Sequence, residues 1–200
     1  MKLINSCSRR ALKWRFSRKL RNSDRCYISQ NCLGGRFYEL EGRRYTSPTV
    51  GLWFRSSDFI EFCRNLDENL RAKISFDSAE TERLGYPVGR LKEIRIYFQH
   101  YSSFDAAVAA WRKRAARVSL KNVLIVMTDR DGFSAEIASE FDKLNYPRKI
   151  LFSHDPAAMG PNTIYIPGYE GDGCVGDLYG AYHKLNAASV WPQLFKILAS

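Results

Sequence analysis

The second half of the chain alternates short apolar segments with longer segments of mixed polarity, and this alternation constrains the fold most. Residues 122–128 have a fully apolar centre, which is typical of a strand covered on both faces. Further strands are predicted at 93–99, 148–152 and 163–166, and helices at about 102–118 and 134–144. Strands that alternate with helices of this length indicate crossover units and a parallel sheet. We therefore predict an α/β fold with a three-layer, mostly parallel, Rossmann-like sheet flanked by helices.

The first half of the chain carries weaker signals of the same kind. A strand is predicted at 25–29, followed by a turn rich in small and polar residues and by a helix that begins near Arg36. Ser57 is a suitable N-cap for a helix over 58–71. The remaining predictions are a strand at 72–76, a loop at 86–90, and two short C-terminal helices that Pro192 interrupts.

Positive charge is concentrated at the N-terminus. The formal net charge is +10, and the first 25 residues contain nine lysines and arginines against Asp24 alone. Leu12, Phe16 and Leu20 recur there at intervals of four residues. This pattern predicts a basic amphipathic helix.

Three uses of this basic segment, residues 1–24, are compatible with the sequence. Its apolar stripe packs on the domain while its bases are solvated, or residues 1–22 adhere to an anionic membrane surface, or the segment serves nucleic-acid binding or organelle targeting. Residues 25–200 are predicted to form a single α/β domain. That part is nearly neutral, so we expect no nucleic-acid partner for it.

Cysteine content and hydropathy indicate the compartment. The five cysteines are odd in number and lack a CxxC spacing, which favours reduced thiols inside a cell over a disulfide framework or a cysteine zinc site. The longest run of large apolar residues, Val123–Met127, is far shorter than the ~20 residues of a membrane-spanning helix. We therefore expect a cytoplasmic protein that is peripheral at the inner membrane face if the basic segment binds lipid.

Polar side chains are predicted to gather beyond the carboxyl ends of the strands, where open parallel sheets bind ligands. Cys32 follows the first strand in a turn with two glycines, and His100 follows the strand at 93–99. A thiolate beside an imidazole would be a nucleophile, although a buried structural cysteine and a histidine bonded to backbone compete with that interpretation. Asn31 and the amides of Gly34 and Gly35 are candidates to hold a developing oxyanion.

Carboxylates follow two other predicted strands. Asp129 and Asp131 come directly after the apolar strand, and two such carboxylates can hold a divalent metal and a diphosphate. The favoured interpretation is that Asp131 caps the helix starting near Phe133, while Asp129 bonds loop amides. Glu170 lies in a glycine-rich loop after the last strand and is a further candidate for cofactor binding.

A set of motifs extends over most of the chain. They are Ser29–Gly35 with Tyr38, Tyr45 with Ser47–Leu52, Tyr86–Leu91, Ile96–Tyr101, Trp111 with Arg114, and Asp129–Gly132. Together they resemble a bacterial family called domain of unknown function nineteen-nineteen, often labelled exopolysaccharide biosynthesis protein. The resemblance implies surface-glycan assembly at the cytoplasmic side of the membrane. The Asn31-Cys32 turn is also similar to the start of a capsule-biosynthesis family thought to use coenzyme A, which favours acyl transfer.

We therefore predict a transferase that moves an acyl group onto a sugar hydroxyl during exopolysaccharide or cell-surface glycan synthesis. Its substrate would be a sugar or lipid-linked glycan, and its donor a coenzyme A derivative. Cys32 would be the nucleophile or line the donor site, and His100 would be the general base. Arg36 and Arg90 are predicted to pair with donor phosphates.

Two alternatives belong to other functional classes. The first is a metal-dependent glycosyltransferase that uses a nucleotide sugar, with Mg²⁺ or Mn²⁺ held by Asp129 and Asp131, and EDTA would silence it. The second is a non-catalytic glycan-binding module that would bind without turnover. Its cleft would use the aromatic residues Tyr38, Trp53, Tyr86 and Tyr101.

Overall fold

A computed structural model describes residues 2–20, 24–158 and 160–199. The helices are α1 (Lys2–Lys19), α2 (Leu33–Glu41), α3 (Ser56–Arg64), α4 (Leu66–Arg71), α5 (Ser78–Leu84), α6 (Phe104–Ala115), α7 (Ala135–Lys143) and α8 (Trp191–Ala199). The strands are β1 (Cys26–Ser29), β2 (Ser75–Phe76), β3 (Val88–Leu91), β4 (Ile94–Tyr97), β5 (Val123–Thr128), β6 (Lys149–Ser153) and β7 (Thr163–Tyr165). Short 3₁₀ segments precede β5 and α8.

The main sheet contains four parallel strands in the order β1–β5–β6–β7. Its register places Cys26 beside Val123 and Ile125 beside Lys149. α7 connects β5 to β6, as a crossover between parallel strands requires. The predicted α/β fold with a parallel sheet is confirmed.

Two apolar cores cover the two faces of this sheet. Along β5, Leu124 and Val126 belong to one core, while Val123, Ile125 and Met127 belong to the other, because successive strand side chains point to opposite faces. α1, α2 and α8 contribute to the first core, and α3, α6 and α7 to the second. The sheet therefore lies between two helical layers.

A second, antiparallel sheet with the order β2–β3–β4 differs from the sequence prediction. The predicted loop at 86–90 is wrong, because β3 begins there, and the strand at 93–99 does not join the parallel sheet. The predicted strand at 72–76 is reduced to the two residues of β2. Gly89 lies inside β3, where a Cβ would stand only 2.5 Å from Ile74 Cγ2. Glycine therefore permits the strand to approach Ile74 this closely.

Residues 53 and 54, which precede α3, connect the small sheet to the end of β1 through backbone hydrogen bonds. Trp53 forms an isolated antiparallel bridge with Tyr97, in which each backbone N–H donates to the other residue's carbonyl at 3.0 Å. The Phe54 N–H donates to the Gln30 carbonyl just past the end of β1. His100 therefore reaches the carboxyl edge of the parallel sheet from this neighbouring sheet.

The basic segment is part of the first core. Leu12, Phe16 and Leu20 are at most 3% exposed and pack among side chains of α2 and α8. The interpretation in which the apolar stripe packs on the domain is confirmed, so this stripe cannot enter a bilayer while the protein is folded. Arg21, one of the nine bases, lies outside the described residues. Within the described ranges, no helix has the length and apolar character needed to cross a membrane.

Several helix boundaries also differ from the prediction. Asn65 leaves helical dihedral angles (φ −121°, ψ 42°) and divides the helix expected at 58–71 into α3 and α4. α3 begins at Ser56, after Arg55, so Ser57 is not its N-cap. Pro192 is the second residue of α8, in the first turn, where its missing N–H costs no helical hydrogen bond. It therefore does not interrupt the helix.

Candidate functional site

A cleft of about 460 Å³ lies at the carboxyl edge of the parallel sheet. Cavities of roughly 300–1,000 Å³ are typical of small-molecule and cofactor sites. It is bounded by residues that follow β1 and β5, by the small sheet, and by a segment after β7. The lining residues are Asn31, Cys32, Leu33, Trp53, Tyr86, Gln99, His100, Thr128, Arg130, Asp131, Gly176, Asp177, Leu178 and Tyr179.

The turn after β1 supplies Asn31 and Cys32. The Asn31 side-chain amide donates to Thr128 Oγ1 at 2.9 Å, and its oxygen accepts the Leu33 N–H at 3.2 Å, so this side chain joins the ends of two strands. Burial, together with the negative charge of Asp177, raises the pKa of the Cys32 thiol to about 11. The thiol is therefore protonated at neutral pH.

Beneath this turn, Gln30 holds the ends of β1 and β5 together. It is fully buried, and its side-chain oxygen accepts from the Thr128 N–H at 3.0 Å. Its side-chain nitrogen donates to Ser56 Oγ at 3.0 Å and to the Arg130 carbonyl at 3.3 Å. These bonds fix where the residues after β5 enter the cleft.

The small sheet contributes an aromatic wall and an imidazole. Trp53 stacks on Tyr97 with ring centroids 3.9 Å apart, and both Trp53 and Tyr86 line the cleft. His100 is exposed, and its backbone N–H donates to the Gly51 carbonyl at 3.3 Å. The fold thus brings His100 and Cys32 to one cavity, although they come from different sheets.

The residues after β5 place opposite charges in the cleft. Arg130 lines it, and its guanidinium has no hydrogen bond or ion pair to the part of the chain that the structure describes. Asp131 has a positive φ of 59°, and burial raises the pKa of its carboxyl despite the opposing effect of Arg130. Ser134, and not Asp131, caps α7, because its hydroxyl accepts the Ile137 N–H.

Asp129 faces away from this cleft and clamps neighbouring segments. It is 4% exposed, and one carboxylate oxygen accepts from Ser153 Oγ at 3.0 Å and from the His154 N–H at 2.7 Å. The same oxygen lies 2.5 Å from His154 Nδ1, and the other oxygen accepts the Val175 N–H at 2.7 Å. The interpretation that Asp129 bonds loop amides is confirmed.

Gly34 and Gly35 lie in the first turn of α2 and do not present free amides. The Gly34 N–H donates to Ser29 Oγ at 3.2 Å, and the Gly35 N–H donates to the Cys32 carbonyl at 3.0 Å. A Cβ at Gly34 would lie 2.6 Å from Ser29 Cβ, so glycine permits the close approach of α2 to β1. The expected oxyanion site at these two amides is therefore not formed.

Three other predicted residues lie outside the lining of the cleft. Arg36 pairs with Glu39 and donates to the Tyr179 carbonyl at 3.1 Å. Arg90 pairs with Asp77 at 3.0 Å in the small sheet. Glu170 accepts the Gly168 N–H at 2.9 Å and also bonds the Tyr165 hydroxyl. These contacts occupy the side chains within their own local structures.

Sequence reasoning assigned no role in the cleft to Arg130, Asp177 or Tyr179. Arg130 is one of the polar residues that directly follow the most apolar strand, and these were expected to gather at the carboxyl edge of the sheet. Asp177 accepts from the Tyr179 N–H at 3.0 Å and from the Gly180 N–H at 3.1 Å, which fixes the turn that follows it. No local signal predicted that this segment would lie over the end of β1.

Among the described residues, no group of three or more His, Cys, Asp or Glu side chains is placed to hold a metal ion. Asp129 has both oxygens engaged in hydrogen bonds, which leaves Asp131 as the carboxylate after β5 that lines the cleft. This geometry does not form the paired carboxylate site considered for a divalent cation.

Comparison with known proteins gives two matches of high coverage. The family model described as "Domain of unknown function (DUF1919)" matches residues 3–196. An uncharacterized protein of Haemophilus influenzae is 34% identical over 176 residues, which cover 88% of this chain and 84% of that protein. The matched range includes most of α1 and both sheets, so similarity extends over nearly the whole described fold.

Proposed function

We propose that this chain, which belongs to the DUF1919 family, is a transferase that moves an acyl group onto a hydroxyl of a sugar or lipid-linked glycan. Membership in this family agrees with the resemblance that the sequence motifs carry. We further propose that the reaction belongs to exopolysaccharide synthesis. The cleft is the observation that supports it. An exposed imidazole, aromatic rings and a guanidinium without a carboxylate partner surround one cavity.

Of the two roles considered for Cys32, lining the donor site has the better support. Nucleophilic cysteines react as thiolates and have lowered pKa values, whereas burial raises the pKa of this thiol to about 11. Its sulfur also lies 3.9 Å from the Leu52 carbonyl oxygen, which accepts the thiol hydrogen. We therefore favour direct transfer from donor to acceptor without an acyl-enzyme.

His100 is the proposed general base. Its exposed side chain lines the cleft, where the acceptor hydroxyl would bind. As the hydroxyl oxygen attacks the acyl carbonyl carbon, the imidazole takes the hydroxyl proton and then gives it to the departing thiolate of the donor. Asn31, held between β1 and β5, is placed to orient one of the two substrates.

Arg130 takes the role of donor anchor that was expected of Arg36 and Arg90. A guanidinium binds phosphate oxygens through two parallel hydrogen bonds, and that of Arg130 lines the cleft without a described partner. A coenzyme A derivative is a donor whose phosphates fit such an anchor. Trp53 and Tyr86 offer ring faces against which a sugar would pack.

The metal-dependent glycosyltransferase has weaker support, because Asp129 is committed to the clamp on His154 and Val175. The glycan-binding module would use the same cleft without turnover. Of the four aromatic residues predicted for it, Trp53 and Tyr86 line the cleft, whereas Tyr38 is buried in the first core and Tyr101 donates its hydroxyl to the Val50 carbonyl. A single experiment with matched arms separates these possibilities from acyl transfer.

We also propose that the exposed face of α1 holds the protein at the cytoplasmic surface of the inner membrane. Arg10, Trp14 and Arg18 are exposed and share one side of the helix, opposite the buried stripe. Trp14 is 55% exposed, which is unusual for so large an apolar side chain. Bases around an exposed tryptophan are typical of a surface that binds anionic lipid.

Thermal unfolding with coenzyme A, acetyl-coenzyme A and nucleotide sugars, each with and without Mg²⁺ or Mn²⁺, tests the function of the cleft. A donor present at 100 times its Kd stabilises the fold by about 2.7 kcal/mol, which is a rise in Tm of roughly 5–10 °C for a chain of this size. We expect this rise with acetyl-coenzyme A and its loss in Arg130→Gln. Arg112→Gln, an exposed arginine on α6, is the matched control and should respond as wild type.

Turnover is measured as thiol release from acetyl-coenzyme A in the presence of an acceptor glycan. His100→Asn should retain the donor-induced shift and lose turnover. Glycan binding without turnover in the wild type would favour the binding module. A shift that requires a nucleotide sugar and a metal, and that EDTA abolishes, would favour the glycosyltransferase.

A further inference from the structure

A second cavity, also of about 460 Å³, lies between the segment after α2 and the last turns of α6. Four basic residues line it: Arg44, Lys113, Arg114 and Arg117. The other lining residues are Tyr45 and two alanines of α6, so no carboxylate lines this basic groove. We propose that the basic groove binds a phosphate-bearing anion.

Helix chemistry alone does not account for this charge. Bases in the last turn of a helix interact favourably with its free carbonyls, which explains Lys113 and Arg114 in α6. Arg44 comes from a different segment, about 70 residues earlier in the sequence, and only the tertiary fold brings it to α6. The Arg117 guanidinium donates to the Tyr45 carbonyl at 3.0 Å, which ties the two segments together.

Among the described residues, no carboxylate forms an ion pair with any of the four bases of the groove. Arg114 donates to the Val50 carbonyl at 3.1 Å and to the Tyr101 hydroxyl at 2.6 Å, and both acceptors are neutral. Burial lowers the pKa of Arg117, and repulsion from the charges of Arg44 and Arg114 lowers it further. An anion in the groove would relieve this repulsion.

One carboxylate bonds a lining residue. Glu39 accepts from the Tyr45 hydroxyl at 3.2 Å, but it is already paired with Arg36. It therefore does not neutralise the arginines of the groove. The charge remains available to a ligand.

The side chains of the groove combine fixed and adaptable donors. Arg114 is held by two acceptors, and its guanidinium lies 5.3 Å from the centroid of the Tyr45 ring. Arg44 and Lys113 are exposed and have no described partner, so they can turn toward a bound anion. Guanidinium groups match phosphate oxygens in pairs. The volume suits a phosphorylated small molecule better than a lone phosphate ion.

Titration calorimetry of the full chain with inorganic pyrophosphate at low ionic strength tests the groove. We expect binding that weakens as salt is added, and that becomes roughly tenfold weaker in Arg44→Gln and in Lys113→Gln. Lys73→Gln, an exposed lysine elsewhere, is the matched control and should bind as wild type. Thermal unfolding without ligand checks that the variants are folded.

A parallel arm uses phosphatidate vesicles and identifies the source of the phosphate. Binding of pyrophosphate that depends on Arg44 indicates a soluble phosphorylated ligand, and binding of vesicles alone with the same dependence indicates a lipid headgroup. Either result supports the groove. The proposal is overturned if neither probe binds, if Arg44→Gln and Lys113→Gln bind like wild type, or if Lys73→Gln weakens binding equally.

Discussion

Replacement of Asp129 by alanine tests whether this carboxylate is a structural clamp. It is 4% exposed and accepts hydrogen bonds from Ser153 Oγ and from two backbone N–H groups, while also contacting His154 Nδ1. Removal leaves the N–H groups of His154 and Val175 without their acceptor at a buried position. Hydrogen bonds to a charged group contribute about 1.5–3 kcal/mol each, and breaking a buried charged contact costs about 3–5 kcal/mol. We therefore expect Asp129→Ala to lower the free energy of unfolding by ~3–5 kcal/mol.

Urea denaturation gives this change as a shift in midpoint with little change in slope. The loss corresponds to a fall in Tm of roughly 10 °C for a chain of 200 residues. Amide hydrogen exchange provides a local measure, because protection of the Val175 N–H should fall in the variant. Asp131→Asn is the matched control: it removes the neighbouring cleft carboxylate, tolerates a positive φ, and should change stability by less than about 0.5 kcal/mol.

The reasoning would be refuted by a stable Asp129→Ala protein with unchanged Val175 exchange. If the same variant had also lost a metal-dependent activity, the result would indicate that Asp129 is a metal ligand. The glycosyltransferase would then become the preferred function.

Three further changes probe packing, thiol chemistry and the outer face of α1. Gly34→Ala is expected to cost about 1–3 kcal/mol in urea denaturation, because its Cβ would meet Ser29 Cβ at 2.6 Å. Gly35→Ala, which faces only Val50 Cγ1 at 3.3 Å, should cost less, and equal costs would contradict the close approach. The pKa of Cys32 is raised from 9.0 to about 11, so its thiolate is scarce at pH 8. Alkylation of Cys32 at this pH, followed by mass spectrometry, should therefore be roughly 100-fold slower than that of an ordinary thiol. An alkylation rate that levels off near pH 9 would contradict the raised pKa. Trp14→Ala should weaken sedimentation with phosphatidylglycerol vesicles several-fold at unchanged Tm, and equal sedimentation would exclude this residue from membrane contact.

The strands and helices with strong periodicity were predictable because their signals are local. The apolar centre of β5 predicted a strand with both faces covered, and all six of its residues are buried. The stripe of Leu12, Phe16 and Leu20 predicted an amphipathic helix, and the structure shows that this stripe packs on the domain. In both cases the spacing of apolar residues along the chain decides which face is buried.

The small sheet was not predictable in this way. Pro87 and Gly89 are residues that favour a loop, yet β3 runs from Val88 because Gly89 lets it approach Ile74. Proline is tolerated just before a strand, and glycine is tolerated where another side chain passes close by. Ile74, the residue that makes glycine favourable inside β3, lies outside the local pattern around Gly89.

The sequence by itself determined the parallel α/β layers, the amphipathic pattern of the basic helix, and the presence of polar residues after the strands, because periodicity and turn chemistry act over a few residues. Only the tertiary structure decided which polar residues meet. It brought His100 from a second sheet to the cleft that Cys32 also lines, and it engaged Asp129 in a clamp. It also paired Arg36 and Arg90 outside the cleft and left Arg130 in its lining. The physical reason is that a side chain's partners are set by packing between distant segments, and that packing has no signature in the local pattern.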